Sequence, residues 1–461
     1  MDKTCFLLFL LIQVWSQLVS CHRPVKLQYL PGFQGPLPFE LETGYIGVDE
    51  SDDVQLFYYF VKSHKDDPLI LWLTGGPGCS AFSGLVYEIG PLKFKVVEYN
   101  GNLPTLVFNP HSWTQVSNII FVDIPVGTGF SFARTPLASQ SGYRIQVNQT
   151  EQFLRKWLID HPEFLSNPIY IAGDSYSGMV VPAIVQKISN GNEEGTKPLI
   201  NVQGYILGNP STDPRFDYNS KIRFAHGKGL ISDELFESLK RSCGEEYRGV
   251  DPGYVECYKQ MQDYDKCTER INPTQIMEPF CAFGSTRTTP IFGRRSLYDM
   301  GFFDFSLSIP PVDCRDYAYV LSEYWANDKT VRKALHIQEG STERWMRCNY
   351  GINYTYDIAS GSTINYHKFL ASKGYRSLIY SGDHDMVVPF VGTQAWIRSL
   401  NYSIVDDWRP WLVQGQVAGY TRTYSNQMTF ATVKGGGHTA PEYKPEECFE
   451  MYKRWLSQEP L

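Results

Sequence analysis

The chain has 461 residues, of which 43% are hydrophobic, 20% charged and 15% aromatic. That content excludes an intrinsically disordered chain and is enough to bury a large core with room for an insertion. A formal net charge of −7, with no run of Lys and Arg, excludes a surface built to neutralise phosphates, so no nucleic-acid partner is expected.

The first element in chain order is a leader. Lys3 supplies a positive charge, Phe6 to Trp15 is apolar apart from Gln13, and Ser20 and Cys21 stand near a plausible cleavage point. This pattern reads as a signal peptide over residues 1–21. The run is too short to span a bilayer, which needs roughly 20 apolar residues, and no later segment is long and apolar enough. The mature chain is therefore expected in the secretory pathway, in a vacuole or outside the cell, with no membrane partner. Sequons at Asn148, Asn353 and Asn401 agree with that compartment as glycosylation sites. Of the ten cysteines, Cys5 leaves with the leader. The others are scattered without the paired spacing of a zinc site, so disulfides are expected, with no metal and no cofactor.

Short apolar runs at Leu69–Leu73, Asn118–Asp123, Ile169–Ala172, Tyr205–Leu207, Ser377–Tyr380 and Met428–Val433 read as strands. Runs apolar on both faces suit a parallel sheet covered by helices. Helical patterns at Gln149–Ile159 and Val180–Ile188 alternate with them, which predicts a doubly wound, mostly parallel α/β sheet. Residues 213–328 break the alternation and read as a cap inserted between two parts of the core, 22–212 and 329–461. Within the cap, the polar stretch 284–295 ends in Arg294-Arg295. It has the composition of an exposed loop and of a processing site that would leave two chains.

The local pattern with the most chemistry is Gly173-Asp174-Ser175-Tyr176-Ser177-Gly178 after the strand at Ile169. Strand, small–x–Ser–x–small turn and helix form the context of a nucleophile elbow, and so predict an α/β-hydrolase fold. The turn sets the hydroxyl at a helix N-terminus, where free N–H groups favour developing negative charge. A Ser hydroxyl needs a base oriented by a third group, and in this fold the acid and then the His follow in sequence. His438 follows the Met428–Val433 strand in Lys434-Gly-Gly-Gly-His438, where three glycines let the chain turn sharply. The acid belongs at the end of the preceding strand, in Ser381-Gly-Asp383-His-Asp385. Asp383 is favoured because it directly follows the strand-end glycine, while Asp385 would more simply cap a turn or helix. Oxyanion donors are expected from the backbone N–H of Tyr176 and from the turn Thr74-Gly75-Gly76-Pro77-Gly78.

Taken together, these residues resemble the serine carboxypeptidase family. The resemblance is carried by Trp72-Leu-Thr-Gly-Gly-Pro-Gly-Cys79-Ser80, Asp123-Ile-Pro-Val-Gly-Thr-Gly-Phe-Ser131, Gly173-Asp-Ser-Tyr-Ser-Gly178, Ser381-Gly-Asp-His-Asp385 and Gly436-Gly-His438-Thr-Ala-Pro. It implies a catalytic Ser175, Asp383 and His438, oxyanion donors Gly76 and Tyr176, and substrate contacts at Thr74, Gly75 and Asp174. It also implies disulfides Cys79–Cys348, Cys243–Cys257 and Cys281–Cys314, with Cys267 and Cys448 unpaired.

Two positions depart from the peptidase pattern. Peptidase members usually carry Asn where Thr74 stands and Glu where Asp174 stands, and use both to hold a peptide's terminal carboxylate. Thr and Asp at these positions resemble the plant serine carboxypeptidase-like acyltransferases. That likeness implies a 1-O-acyl-β-glucose donor and an alcohol or phenol acceptor, with a carboxypeptidase as the alternative.

Overall fold

The computed structural model describes residues 24–281, 310–358 and 361–461. The leader 1–21 and the dibasic pair Arg294-Arg295 lie outside them. A sheet of twelve strands organises the chain. Its longer strands are β1 (Glu40–Val48), β2 (Val54–Lys62), β3 (Leu69–Leu73), β4 (Asn118–Val122), β5 (Ile169–Asp174), β6 (Val202–Gly208), β7 (Arg376–Gly382), β8 (Ile404–Val413), β9 (Gln416–Tyr424) and β10 (Met428–Val433). The middle runs β4-β3-β5-β6-β7-β10 and is parallel throughout.

Every residue of β3 and of β4 is buried, as strands covered on both faces require. Alternate residues of β3 serve opposite cores. Ile70 and Trp72 join Phe82, Trp113 and Tyr452 on one face, while Leu69, Leu71 and Leu73 join Trp157, Val180 and Ile184 on the other. The second group comes from helices α1 (Tyr143–Asp160) and α2 (Ser177–Glu193). The fold is thus the α/β-hydrolase type expected from the elbow.

Antiparallel pairs extend the sheet at both sides, β1–β2–β4 at one and β10–β9–β8 at the other. β1, β8 and β9 do not stand out in the sequence as apolar runs, whereas β2 does, with Leu56–Val61 apolar throughout and buried. β1 carries Glu42 and Thr43, both buried. The outer strand β8 carries Asp406, Asp407, Arg409 and Pro410, the residues that blunt an exposed sheet edge.

Three helices of the inserted region, α3 (Pro214–Gly227), α4 (Asp233–Cys243) and α5 (Val255–Thr268), pack around Ile222, Phe224, Leu239 and Met261. Asp213 and Ser232 start α3 and α4 by accepting from Arg215 N–H and Leu235 N–H. The helix α6 (Tyr317–Asn327) packs instead against the sheet, with Trp325 stacked on Phe82 at 4.9 Å. All three implied disulfides are present: Cys79–Cys348, Cys243–Cys257 and Cys281–Cys314. Such bonds belong to an oxidising, secreted or lumenal setting. Cys267 and Cys448 are free. Among the described residues, no helix is long and apolar enough to cross a membrane.

A buried pair beneath α1 makes stability depend on pH. His161 stacks on Trp157 at 3.9 Å, with Nδ1 at 2.9 Å from the Trp157 carbonyl and Nε2 at 2.9 Å from Glu42 Oε1. Tyr58 donates to the same oxygen. Both ring nitrogens thus face acceptors, which suits an imidazolium. Burial opposes the charge, but the hydrogen bond and charge of Glu42 outweigh it, and the His161 pKa is raised above 6.5. Because the folded value is raised, this stabilisation is complete below the unfolded pKa and is lost as pH rises through the folded one. His161→Gln is expected to cost about 3–5 kcal/mol at mildly acidic pH and less at alkaline pH. Thermal melts of both proteins across that range check this, and parallel melting curves would refute it.

Candidate active site

The strand β5 ends at Asp174 and the chain passes through Ser175 at φ +54 before α2 begins. A non-glycine residue holds this left-handed conformation only when its surroundings impose it. Here Ser175 N–H donates to Gly208 O at 2.9 Å, while Ser175 O accepts from Gly178 N–H and Ser211 N–H. Ser177, which departs from the usual glycine, is buried and donates its hydroxyl to Leu73 O at 2.8 Å. It therefore ties the start of α2 to the end of β3, and Ser175 is left half-exposed at the helix N-terminus.

His438 lies between Ser175 and an aspartate. Its Nε2 is 2.8 Å from Ser175 Oγ and its Nδ1 is 2.8 Å from Asp385 Oδ2. Its own N–H donates to Thr274 O in the inserted region at 2.7 Å, which fixes the loop that carries it.

The acid facing the imidazole is therefore Asp385 and not Asp383, which corrects the sequence reading. After Gly382 the chain turns, with Asp385 N–H directed at Gly382 O. The turn brings the Asp385 side chain inward to full burial, where it accepts from Val387 N–H, Val388 N–H and Asn209 Nδ2. Asp383 sits on the outer side at 24% exposure and accepts from Gly435 N–H at 2.7 Å. It shapes the glycine loop without touching His438.

Burial opposes charging His438, but Asp385 outweighs it through its charge and hydrogen bond, with Asp174 adding to it, so the imidazole pKa is raised. That makes it a base that holds a proton well once it has taken one. Asn209 is a partner the sequence reading missed. At φ +44 it directs Nδ2 to Asp385 and accepts from Gly382 N–H. The only sequence signal is an Asn placed directly after an apolar strand, where it tolerates the left-handed region.

The turn 74–80 lies across from the elbow. A Cβ on Gly75 would stand 2.6 Å from Ser175 Cβ and 3.0 Å from Tyr176 N, so only glycine lets the Gly75-Gly76 backbone approach the nucleophile this closely. The turn is held by Gly75 N–H donating to Asp174 Oδ1 at 2.9 Å, by Ser80 N–H donating to Arg347 O, and by the Cys79–Cys348 bond. The Gly75-Gly76 backbone thus lies against the elbow and Tyr176 N, the two places from which oxyanion donors were expected.

Asp174 is buried, and burial raises its pKa against the lowering effects of His438 and Gly75 N–H. Glu88 is buried too, has an unpartnered Oε2, and is raised well above the ordinary carboxyl range by burial and by the charge of Asp174. Thr74 Oγ1 accepts from Trp72 Nε1 at 3.2 Å. Glu88 is hidden in the sequence because it ends an otherwise apolar run, Gly84-Leu-Val-Tyr-Glu88. Among the described residues, no group of three His, Cys, Asp or Glu is arranged to hold a metal ion.

Comparison with known proteins places this geometry. The serine carboxypeptidase family profile matches residues 31–458. Serine carboxypeptidase-like 17 of Arabidopsis thaliana is 55% identical over 472 residues, covering 100% of both chains. Serine carboxypeptidase-like 3 of the same plant is 56% identical over 94% of this chain and 93% of its own. Among solved structures, a prohormone-processing carboxypeptidase, Kex1, of Saccharomyces cerevisiae matches with a TM-score of 0.73 at 20% identity, covering 94% of this chain and 95% of that one. At that identity the likeness concerns the fold.

Proposed function

Because the chain belongs to the serine carboxypeptidase family, we propose that it is an acyltransferase that moves an acyl group from a 1-O-acyl-β-glucose ester to an alcohol or phenol. The observation that carries this reading is how residues 74 and 174 are used. The Thr74 hydroxyl is engaged by the Trp72 indole and brings no amide donor. The Asp174 carboxyl, one methylene shorter than Glu, is turned to Gly75 N–H. A peptide carboxylate would lose the Asn and Glu that peptidase members usually offer it, whereas a sugar leaving group needs neither.

The steps balance on the chain's own groups. Ser175 Oγ attacks the donor carbonyl as His438 Nε2 takes its proton, and the N–H groups of Gly76 and Tyr176 hold the oxyanion. The ester C–O bond breaks, and the departing glucosyl oxygen takes the proton back from His438. An acceptor hydroxyl then gives its proton to His438 and attacks the acyl-enzyme, and Ser175 leaves with that proton. Transfer exceeds hydrolysis when the acceptor is positioned and water excluded.

The second reading is a serine carboxypeptidase. It is favoured by the buried carboxyls of Glu88 and Asp174, since protonated carboxyls donate to a carboxylate. The proposal extends to a vacuolar or extracellular location, and to glycans at Asn148, Asn353 and Asn401, all of which are exposed.

The test pairs two incubations of the purified protein. One holds a 1-O-acylglucose with candidate hydroxyl acceptors, the other an N-blocked dipeptide, and both are read by mass spectrometry. New ester with little free acid is expected from the first. Efficient release of the C-terminal residue without ester transfer would replace this reading with the second.

A further inference from the structure

The segment Asp123–Ser131 is among the most distinctive in the sequence, yet the chemistry proposed for Ser175, Asp385 and His438 uses none of it. Its first residue points at the oxyanion turn. Asp123 is fully buried, and Oδ1 accepts from Ser80 Oγ at 2.6 Å and from Ala81 N–H at 2.9 Å. Oδ2 accepts from Phe130 N–H at 2.9 Å. One carboxylate thus joins the far end of the turn 74–80 to the loop 123–131.

The rest of that loop is built around this carboxylate. Ser131 Oγ donates to Asp123 O at 2.6 Å and accepts from Phe57 N–H at 2.7 Å, which anchors the loop to β2. Gly129 stands at φ +55, and a Cβ there would lie 2.0 Å from Asp123 Oδ2, so the glycine makes room for the carboxylate. A second tie runs through the strip beyond the disulfide. Asn349 Nδ2 donates to Gly127 O at 2.9 Å, and Asn349 N–H donates to Gly78 O at 2.8 Å. The loop therefore grips the turn from two sides.

The carboxylate is expensive to keep here. Burial pushes its pKa up to about 6, and the bonds from Ser80, Phe130 and Ala81 hold it from rising further. An anion held by three directed donors has little freedom to shift, and neither do the donors.

We propose that Asp123 is a positioning residue for the acyl chemistry, fixing the turn 74–80 so that Gly76 N–H meets the oxyanion that forms at Ser175. This rests on the reading that Ser175 forms an acyl-enzyme, whatever the acceptor. Its consequence is specific to the oxyanion. A misplaced donor weakens the transition state and leaves ground-state binding largely alone.

The test uses an aryl ester and its thionoester, in which the carbonyl oxygen is replaced by sulfur, a poor acceptor for N–H groups. Asp123→Asn keeps the shape but sets an NH2 among three donors. Ser80→Ala removes one donor only. Asp123→Asn is expected to lower kcat for the oxygen ester by ~10–100-fold, with KM within about twofold, since a shift near 1 Å costs about a hundredfold. The ratio of oxygen-ester to thionoester turnover should fall with it, and fall less in Ser80→Ala. Melting temperature and near-ultraviolet circular dichroism report the fold.

A loss equal on both esters, or a wild-type ratio in folded Asp123→Asn, overturns the placement of Asp123. If Asp123→Asn does not fold, a wild-type ratio in Ser80→Ala overturns it equally. A wild-type protein that neither turns over the ester nor is labelled at Ser175 by an organophosphonate overturns the acyl-enzyme reading and this one with it. An active wild type whose variants keep its ratio overturns this one alone.

Discussion

Ser175→Ala is expected to lower turnover of any ester donor by about a millionfold, and His438→Ala by about as much, with the double variant little worse than either. The non-additivity follows from the geometry. Ser175 Oγ and His438 Nε2 are 2.8 Å apart, and neither has work to do without the other. Without the hydroxyl there is no acyl-enzyme, and without the imidazole the hydroxyl keeps its proton. Rate above the uncatalysed reaction should persist at roughly 10³–10⁴-fold, because the oxyanion donors proposed at Gly76 and Tyr176 remain. The measurement is kcat with an acylglucose or aryl ester, joined to organophosphonate labelling of the wild type. Activity of Ser175→Ala within tenfold of the wild type would remove Ser175 from the mechanism.

What the sequence made legible follows from how local each constraint is. The parallel strands were visible because strands buried on both faces have almost no polar freedom, and β3 and β10 match their expected bounds residue for residue. The elbow was visible because its small residues and strand–helix context lie within ten residues of each other. The antiparallel strands β1, β8 and β9 were not read, because edge and half-covered strands mix charged and polar residues with apolar ones; β2 was passed over although its apolar run Leu56–Val61 was visible. Asn209 gave only a weak local signal, an Asn directly after an apolar strand, and Glu88 gave none. Asn209 matters only because the register of β6 against β7 sets it beside Gly382. Glu88 matters only because its turn packs near Asp174.

The choice between Asp383 and Asp385 failed for a different reason. Both lie just beyond the β7 strand end, and the sequence does not say where the chain turns. A residue next to a strand-end glycine looks better placed for catalysis than one two positions later. In the structure the turn after Gly382 reverses that ranking, because it sends Asp383 outward and folds Asp385 back under His438. The burial that follows is what makes Asp385 suitable. Three donors besides His438 fix its carboxylate, so one oxygen stays directed at Nδ1.

This yields a paired prediction with opposite outcomes. Asp385→Asn is expected to lower kcat by about 10⁴-fold, since an amide NH2 facing Nδ1 favours the tautomer with its proton on Nε2, which cannot accept from Ser175. Asp383→Asn is expected to stay within about tenfold of the wild type, because an amide oxygen still accepts from Gly435 N–H and the loop keeps its course. The pH profile separates the two further. Asp385 opposes the effect of burial and raises the His438 pKa, so His438 must lose its proton above 6.5 before it can act as base. Removing that charge should move the acid limb of kcat/KM to lower pH in Asp385→Asn, while Asp383→Asn keeps the wild-type limb. Both variants are assayed on one ester donor between about pH 5 and pH 8, where an imidazole titrates, with melting temperatures to show that each is folded. A larger loss in Asp383→Asn than in Asp385→Asn would return the acid's role to Asp383.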